Sequence, residues 1–239
     1  SAYSREIDYK KIQEIENEVN AITMADIAHI AGLIAGRTMT NPVPIFDIVT
    51  TTTHKTLRGP RGGMIMCKKQ FAKKIDSAVF PGLQGGPHQN NIAGKAVAFK
   101  EALAPSFQDY AKQIKANTKV LERIFHEKKY HICFGGTDNH LLLIDLTTKG
   151  LTGKEAEEAL DKAHITVNKN MIPDDPRTPF NPSGIRLGTP AITTRGMKEV
   201  EMESIANMIH KVITHHKDIK ILTSVKKEVV ELAKKFPLY

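Results

Sequence analysis

The sequence predicts an α/β fold in two parts, which meet near residue 104. Three observations predict it. Short apolar runs alternate with helical periodicities over the first hundred residues, which is the pattern of strands and helices packed in layers. Each of these runs leads into Gly, Pro, Asp, His or Lys, where open α/β sheets place their ligand loops. Past Pro105 the pattern changes to long amphipathic helices around short strands.

Taken in order, Ile12, Ile15 and Val19 fall at helical spacing, so residues 8–20 read as an amphipathic helix with those three inward. AITMAD (21–26), IFDIVT (45–50) and GGMIMC (62–67) read as buried strands. Residues 89–103 place Ile92, Ala96, Phe99 and Leu103 on one helical face, and residues 106–128 place Phe107, Tyr110, Ile114, Leu121 and Ile124 on another. Strands follow at HLLLIDL (140–146), ITVN (165–168) and GIRLG (184–188), with a proline-rich loop at 173–182. Thr152 and Glu155 have capping-box spacing. Two closing helices carry Val200, Ile205, Ile209 and Val212, then Leu222, Val225, Val229 and Leu232. The domain boundary is placed between residues 104 and 105.

With 239 residues, 41% hydrophobic and 25% charged, the chain can bury a sizeable core. No apolar run approaches the roughly 18 residues of a membrane span, and no signal-peptide pattern opens the sequence. Cys67 and Cys133 lie far apart without metal-like spacing, which predicts core cysteines, no metal and a reducing, cytoplasmic setting. The net charge of +8 comes from lysines mixed with glutamates. That is the signature of solvated helix faces, not of a nucleic-acid partner or a membrane surface.

One string stands out: TTTTHKT, residues 50–56, where a lysine follows a row of hydroxyls at a strand end. Asp26 closes the preceding strand, and His29 comes three residues later. Pyridoxal phosphate needs such a set: a lysine to form a Schiff base, and a carboxylate to keep the pyridine nitrogen protonated. On spacing alone, a strand-end aspartate is more often a turn residue or N-cap, and such a histidine more often a packed one. The Gly85-Gly86 pair in QGGP suits either an anion-binding turn or an ordinary one. Arg186 sits on a predicted strand, where an arginine is by default salt-bridged or solvated, yet a guanidinium is also the natural clamp for a carboxylate.

The strings ADIAHIAGLIAG, NPVP, TTTTHKTLRGPRGG, SAVFPGLQGGP, GGTDNH and SGIRLGTPA resemble those of serine hydroxymethyltransferases, fold-type I (aspartate-aminotransferase-like) enzymes that use pyridoxal 5'-phosphate. The resemblance runs the length of the chain. It implies residues 1–104 as the C-terminal part of the large mixed-sheet cofactor domain, residues 105–239 as the smaller α+β domain, and a longer enzyme of which this is one portion. It implies Lys55 as the Schiff-base lysine, Asp26 as the partner of the pyridine nitrogen, and His29 and Ser1 near the phenolic oxygen. His54 matches a residue near the phosphate, Arg61 another arginine of the cofactor loop, and Thr52 a threonine close to the reacting centre. Gly85 and Gly86 match glycines that reach the phosphate of a neighbouring subunit, so a homodimer, or a tetramer, with shared sites is expected. Arg186 matches the substrate-carboxylate arginine and Asn170 an asparagine that contacts folate. The implied reaction exchanges serine and tetrahydrofolate for glycine and 5,10-methylenetetrahydrofolate, with little activity expected of this portion alone. Another fold-type I enzyme, such as a threonine aldolase, and a non-catalytic interaction module remain the alternatives.

Overall fold

The structure, a computed structural model, describes residues 2–238. It has the predicted α/β class, with helices and a mixed sheet. The chain divides into two compact units, the first ending at Lys112 and the second beginning at Gln113.

The first unit opens with α1 (Tyr9–Val19), whose N-cap Asp8 accepts the Lys10 and Lys11 amides at 3.1 and 3.2 Å. Strand β1 (Met24–Asp26) leads through the short helix α2 (Ala31–Ala35) to β2 (Ile48–Thr52), and β3 (Gly63–Cys67) follows. β1 and β2 run parallel, with Asp26 opposite Thr50, and β3 pairs antiparallel to β2. Asp47 ties the entry to this sheet. It accepts the Thr23 amide at 3.0 Å and pairs with Lys68 at 2.8 Å, and the Lys68 ammonium holds its carboxyl below the usual range. Helices α3 (Lys69–Ser77) and α4 (Gln89–Ala102) follow, separated by a π-helical turn at Ala78–Leu83.

The predicted strand at 45–50 starts three residues later and ends two residues later. The Ile45 and Phe46 amides both bond the Pro42 carbonyl in a turn, so the strand starts at Ile48 and runs into the threonines. Two predicted helix faces are corrected as well. Ile15 and Val19 on α1 are exposed, and so are Ile92, Ala96 and, just beyond the helix, Leu103; on α4 it is Ala98 and Ala102 that are buried. Periodicity marks an amphipathic face but does not say what covers it.

The division between units falls within α5 (Pro105–Glu127). Its predicted inward residues Phe107, Tyr110, Ile114, Leu121 and Ile124 are all buried. The second unit has a four-stranded antiparallel sheet in the order β4 (His131–Ile132), β5 (Leu141–Asp145), β7 (Gly184–Gly188), β6 (Asn168–Asn170). β4, too short to show periodicity, escapes sequence reading. Helices α6 (Gly153–Lys162), α7 (Pro190–Thr194), α8 (Glu199–Thr214) and α9 (Ile219–Lys234) complete the unit. The predicted capping box at α6 forms, with the Glu155 amide on Thr152 at 3.1 Å and the Thr152 amide on Glu155 at 2.9 Å.

The strand expected at 165–168 begins only at Asn168, because the Ile165 amide closes the C-terminal turn of α6 on the Leu160 carbonyl. Val200, expected inward on α8, is exposed, while Ile209 and Val212 are buried. Leu142, Ile144, Ile185 and Leu187 on one sheet face join Phe125, Leu160, Met202 and Val225 in one continuous core. Cys133 is buried and its thiol is pushed up to about 11, chiefly by that burial; Cys67, expected in the core, is only half-buried. Among the described residues, no helix is long and apolar enough to cross a membrane.

Candidate active site

The threonine row has a simple logic once β2 is paired. Alternate residues of a strand point to opposite faces, so Thr50 and Thr52 share the face of Asp26 while Thr51 is buried on the other. Thr50 Oγ1 donates to Asp26 Oδ2 at 2.8 Å and the Ala28 amide to Asp26 Oδ1 at 3.2 Å, which orients an exposed carboxylate at the end of β1. Thr52 Oγ1 reaches the Ala28 carbonyl at 3.3 Å. Two parallel strands thus end side by side with Asp26 and Thr52 at their carboxyl ends.

The loop that follows is closed on Thr53, which is fully buried. Its amide bonds the Gly62 carbonyl at 3.0 Å, its carbonyl accepts the Gly59 amide at 2.7 Å, and its hydroxyl donates to the Pro60 carbonyl at 2.6 Å. Within this closed loop, His54 and Lys55 are half-buried and Arg61 is exposed. The His54 Nδ1 accepts the Gly62 amide at 3.4 Å, and the Arg61 guanidinium lies 3.4 Å from the other ring nitrogen. Lysine, histidine and arginine therefore gather on one short loop.

Thr56 binds that loop to the turn carrying His29. Its hydroxyl donates to the His29 carbonyl at 2.9 Å and accepts the Gly32 amide at 2.9 Å, and the residue is 1% exposed. Gly32 is obligatory here, because a Cβ would lie 2.1 Å from the Thr56 carbonyl oxygen. Arg58 closes the turn in the left-handed region (φ 57°), its amide on the Lys55 carbonyl at 3.0 Å. A non-glycine residue there needs support. Its guanidinium finds it over Tyr110 and Phe107, 4.1 and 5.5 Å from the ring centroids.

Gly85 and Gly86 are exposed, and a side chain at either would meet nothing within 4 Å. Nothing in the chain's own packing asks for glycine at these positions. Ser1 lies outside the described residues.

Arg186 and Asn170 belong to the second unit. Arg186 lies on the sheet face opposite Ile185 and Leu187, half-buried, and its register partners are Leu143 and Asn168. Asn170 is two residues along from Asn168 on the same face, its amide nitrogen donating to the Met171 carbonyl at 2.7 Å. Sequence reasoning missed Asn168; the Asn-Lys-Asn alternation was the available signal, because Lys169 turns to the other face and pairs with Glu157 at 2.8 Å. The loop joining β6 to β7 is gathered on Asp175. Burial pushes this carboxyl up, but hydrogen bonds from Ser183, Arg177 and Ile172 outweigh that and hold it at about 2.

The donor set of the first unit fits pyridoxal phosphate by its chemistry. A half-buried lysine can take up an aldehyde, an oriented carboxylate can hold a ring N–H, and a loop with histidine and arginine suits a phosphate. Asp26 closes β1 and Lys55 lies in the loop three residues past the end of the adjacent parallel strand β2, on the carboxyl side where α/β sheets place their ligands.

Comparison with known proteins agrees. The family model described as serine hydroxymethyltransferase matches residues 1–209. The serine hydroxymethyltransferase of Francisella philomiragia is 56% identical over 241 aligned residues, covering 100% of this chain and 58% of the relative. That of Francisella tularensis subsp. novicida is 54% identical with the same coverage. The chain spans 58% of the length of these curated relatives. With the family model matched over most of the chain and more than half of its residues shared with each relative, the chain belongs to the serine hydroxymethyltransferase family.

Proposed function

We propose that this chain forms part of a longer, pyridoxal phosphate-dependent enzyme that interconverts serine plus tetrahydrofolate with glycine plus 5,10-methylenetetrahydrofolate. The observation that carries the reading is the pair of parallel strand ends, where Asp26 is oriented by Thr50 and the closed loop presents Lys55. Family membership supports the same reading.

When bound, pyridoxal phosphate supplies an electrophilic ring that accepts the electrons of a breaking Cα–Cβ bond. In this reading Lys55 holds the cofactor through its amine. Asp26 keeps a proton on the pyridine nitrogen, and its fixed geometry matters because an ion pair to a ring N–H is directional. His54 and Arg61 would offer donors to the phosphate, while His29 and Thr52 would serve the phenolic oxygen and the reacting centre. Arg186 would clamp the amino-acid carboxylate with two parallel hydrogen bonds, and Asn170 would contact the folate. Clamping the substrate fixes which bond stands perpendicular to the ring, so orientation is the main contribution of these residues.

The finer points go with this reading. Residues 1–104 would complete a large cofactor domain and residues 105–239 form the small one. The enzyme would be cytoplasmic and act as a homodimer or tetramer, with Gly85 and Gly86 serving a neighbouring subunit. Their exposure and unhindered surroundings support that assignment. Borohydride reduction in the presence of pyridoxal phosphate, followed by peptide mapping, is the test. A pyridoxyl group on Lys55 is expected; labelling elsewhere, or none, overturns the reading.

A further inference from the structure

Strand β6 has three residues, a single neighbour, and an edge position in its sheet. Such a strand is weakly held, yet it carries Asn168 and Asn170 opposite and beside Arg186. The segment that follows, residues 171–183, contains Pro173, Pro176, Pro179 and Pro182. Prolines donate no hydrogen bond, so the loop has few amides with which to hold itself.

Three of those amides converge on one carboxylate. Asp175 accepts the Ile172 amide at 3.2 Å, the Arg177 amide at 3.0 Å and the Ser183 amide at 2.9 Å, and the Ser183 hydroxyl at 2.7 Å. Ile172 lies two residues past Asn170, and Ser183 three residues before Arg186. The Ser183 end is anchored. Ser183 is fully buried, its carbonyl accepts the Leu146 amide at 3.0 Å, and the Pro182 carbonyl accepts the Gly153 amide at 2.7 Å. Gly184 is confined too, since a Cβ there would meet the Ile144 and Asn170 carbonyl oxygens at 2.8 and 3.0 Å.

We propose that Asp175 is a positioning residue that ties the end of β6 to the buried start of β7 and so holds Asn170, with Asn168, in register beside Arg186. This rests on the functional reading above and assigns the carboxylate a selective duty: it governs the folate-side contact more than the amino-acid clamp. Arg186 is on β7, which is paired on both sides by β5 and β6. It keeps its place when the loop loosens, whereas β6 has one strand neighbour, the Lys169–Glu157 pair on its other face at 2.8 Å, and the tie, which holds the Asn170 end to the start of β7. The carboxylate, held at about 2, is ionised throughout the neutral range and accepts on both oxygens.

Asp175→Asn in the intact enzyme keeps the shape but turns one acceptor into a donor facing amides. The expected result is a rise of at least tenfold in KM for tetrahydrofolate. KM for serine and kcat should stay within about threefold, and the absorbance of the bound cofactor should not change. Equal rises in both KM values, or no rise for folate, overturn the proposal. A structure-only reading has its own readout, trypsin cleavage after Arg177, which should quicken at least tenfold in Asp175→Asn; cleavage at the wild-type rate overturns the tie. If Asp175→Asn fails to fold, Ser183→Ala removes one of the four bonds, and the same folate-selective shift, smaller in size, is expected; its absence is equally decisive. Loss of folate-dependent turnover in the wild-type enzyme itself would count against the functional reading, and the trypsin comparison would still decide the tie.

Discussion

The two units differ in how far their helices and strands close over the core, although each buries some apolar residues and exposes others. The second closes a continuous core in which Phe125, Leu142, Ile144, Ile185 and Met202 are fully buried. The first leaves Ile22 and Met24 at β1, Ile15 and Val19 on α1, and Ile92 and Val97 on α4 in solvent, with Leu83 86% and Leu103 84% exposed. Scattered exposed apolar residues are ordinary, but on α1 and α4 they include positions that periodicity assigns to the core. The chemistry divides along the same line. The less closed unit carries Asp26, His29 and Lys55, while the closed unit carries Arg186 and Asn170 on one face of a well-packed sheet.

The largest effect should come from the contrast in packing. Phe125→Ala in the closed core should cost about 3–5 kcal/mol, whereas Leu83→Ala in the first unit should stay within about 0.5 kcal/mol. Urea unfolding of the two variants checks this, and equal losses would erase the distinction between the units. Next comes Gly32→Val, which drives a side chain into the Thr56 carbonyl. It should cost about 3 kcal/mol through overpacking. It should also displace the Lys55 loop, so pyridoxyl labelling of Lys55 falls; labelling at the wild-type level would show that Thr56 does not position the loop.

The smallest effect concerns pH. The carboxyls of Asp145, Glu155, Glu157 and Asp175 in the second unit are lowered on folding. Burial opposes this at Asp145, Glu157 and Asp175 but is outweighed by hydrogen bonds, and at Glu155 the Thr152 amide dominates. A carboxyl lowered in the folded state stabilises fully above its unfolded value of about 4 and loses that contribution as pH falls through the folded one. The share of the urea midpoint that these carboxyls set should therefore be level from about pH 7 to about pH 5 and fall progressively below about pH 4. His210, which burial holds below its ordinary value, adds a shallow fall that begins near the unfolded histidine value of about 6.5. Asp175→Asn should shallow the lowest part of the carboxyl fall, down to the folded value of about 2. A midpoint unchanged at low pH would remove these carboxylates from the account of stability.

Much of this was legible in the residues. The α/β class, the capping box of α6, the inward face of α5 and the strand Gly184–Gly188 follow from local patterns, and each formed as read. These features depend on neighbours three or four residues apart, or two along a strand, so a sequence carries them directly. Strand starts were less legible. Ile45 and Val167 look as strand-like as Val49, but their segments are bent by hydrogen bonds to Pro42 and Leu160.

The candidate site splits in the same way. Asp26, His29, Lys55 and Arg186 stand out because their chemistry is unusual at strand ends or on a strand, and the family strings carry them. Asn168, Thr56 and Asp175 do not stand out, for their roles rest on partners far along the chain: Thr56 on His29 and Gly32, Asn168 on Arg186, Asp175 on Ser183. The DD pair at 174–175 gave no sign of which carboxylate would gather the loop. By itself the sequence determined the fold class and the family and singled out the candidate side chains, because periodicity and side-chain chemistry are short-range properties. Tertiary structure alone decided which apolar faces are covered and which polar groups hold the reactive ones in place, because burial and hydrogen bonding are settled between segments distant along the chain and adjacent in space.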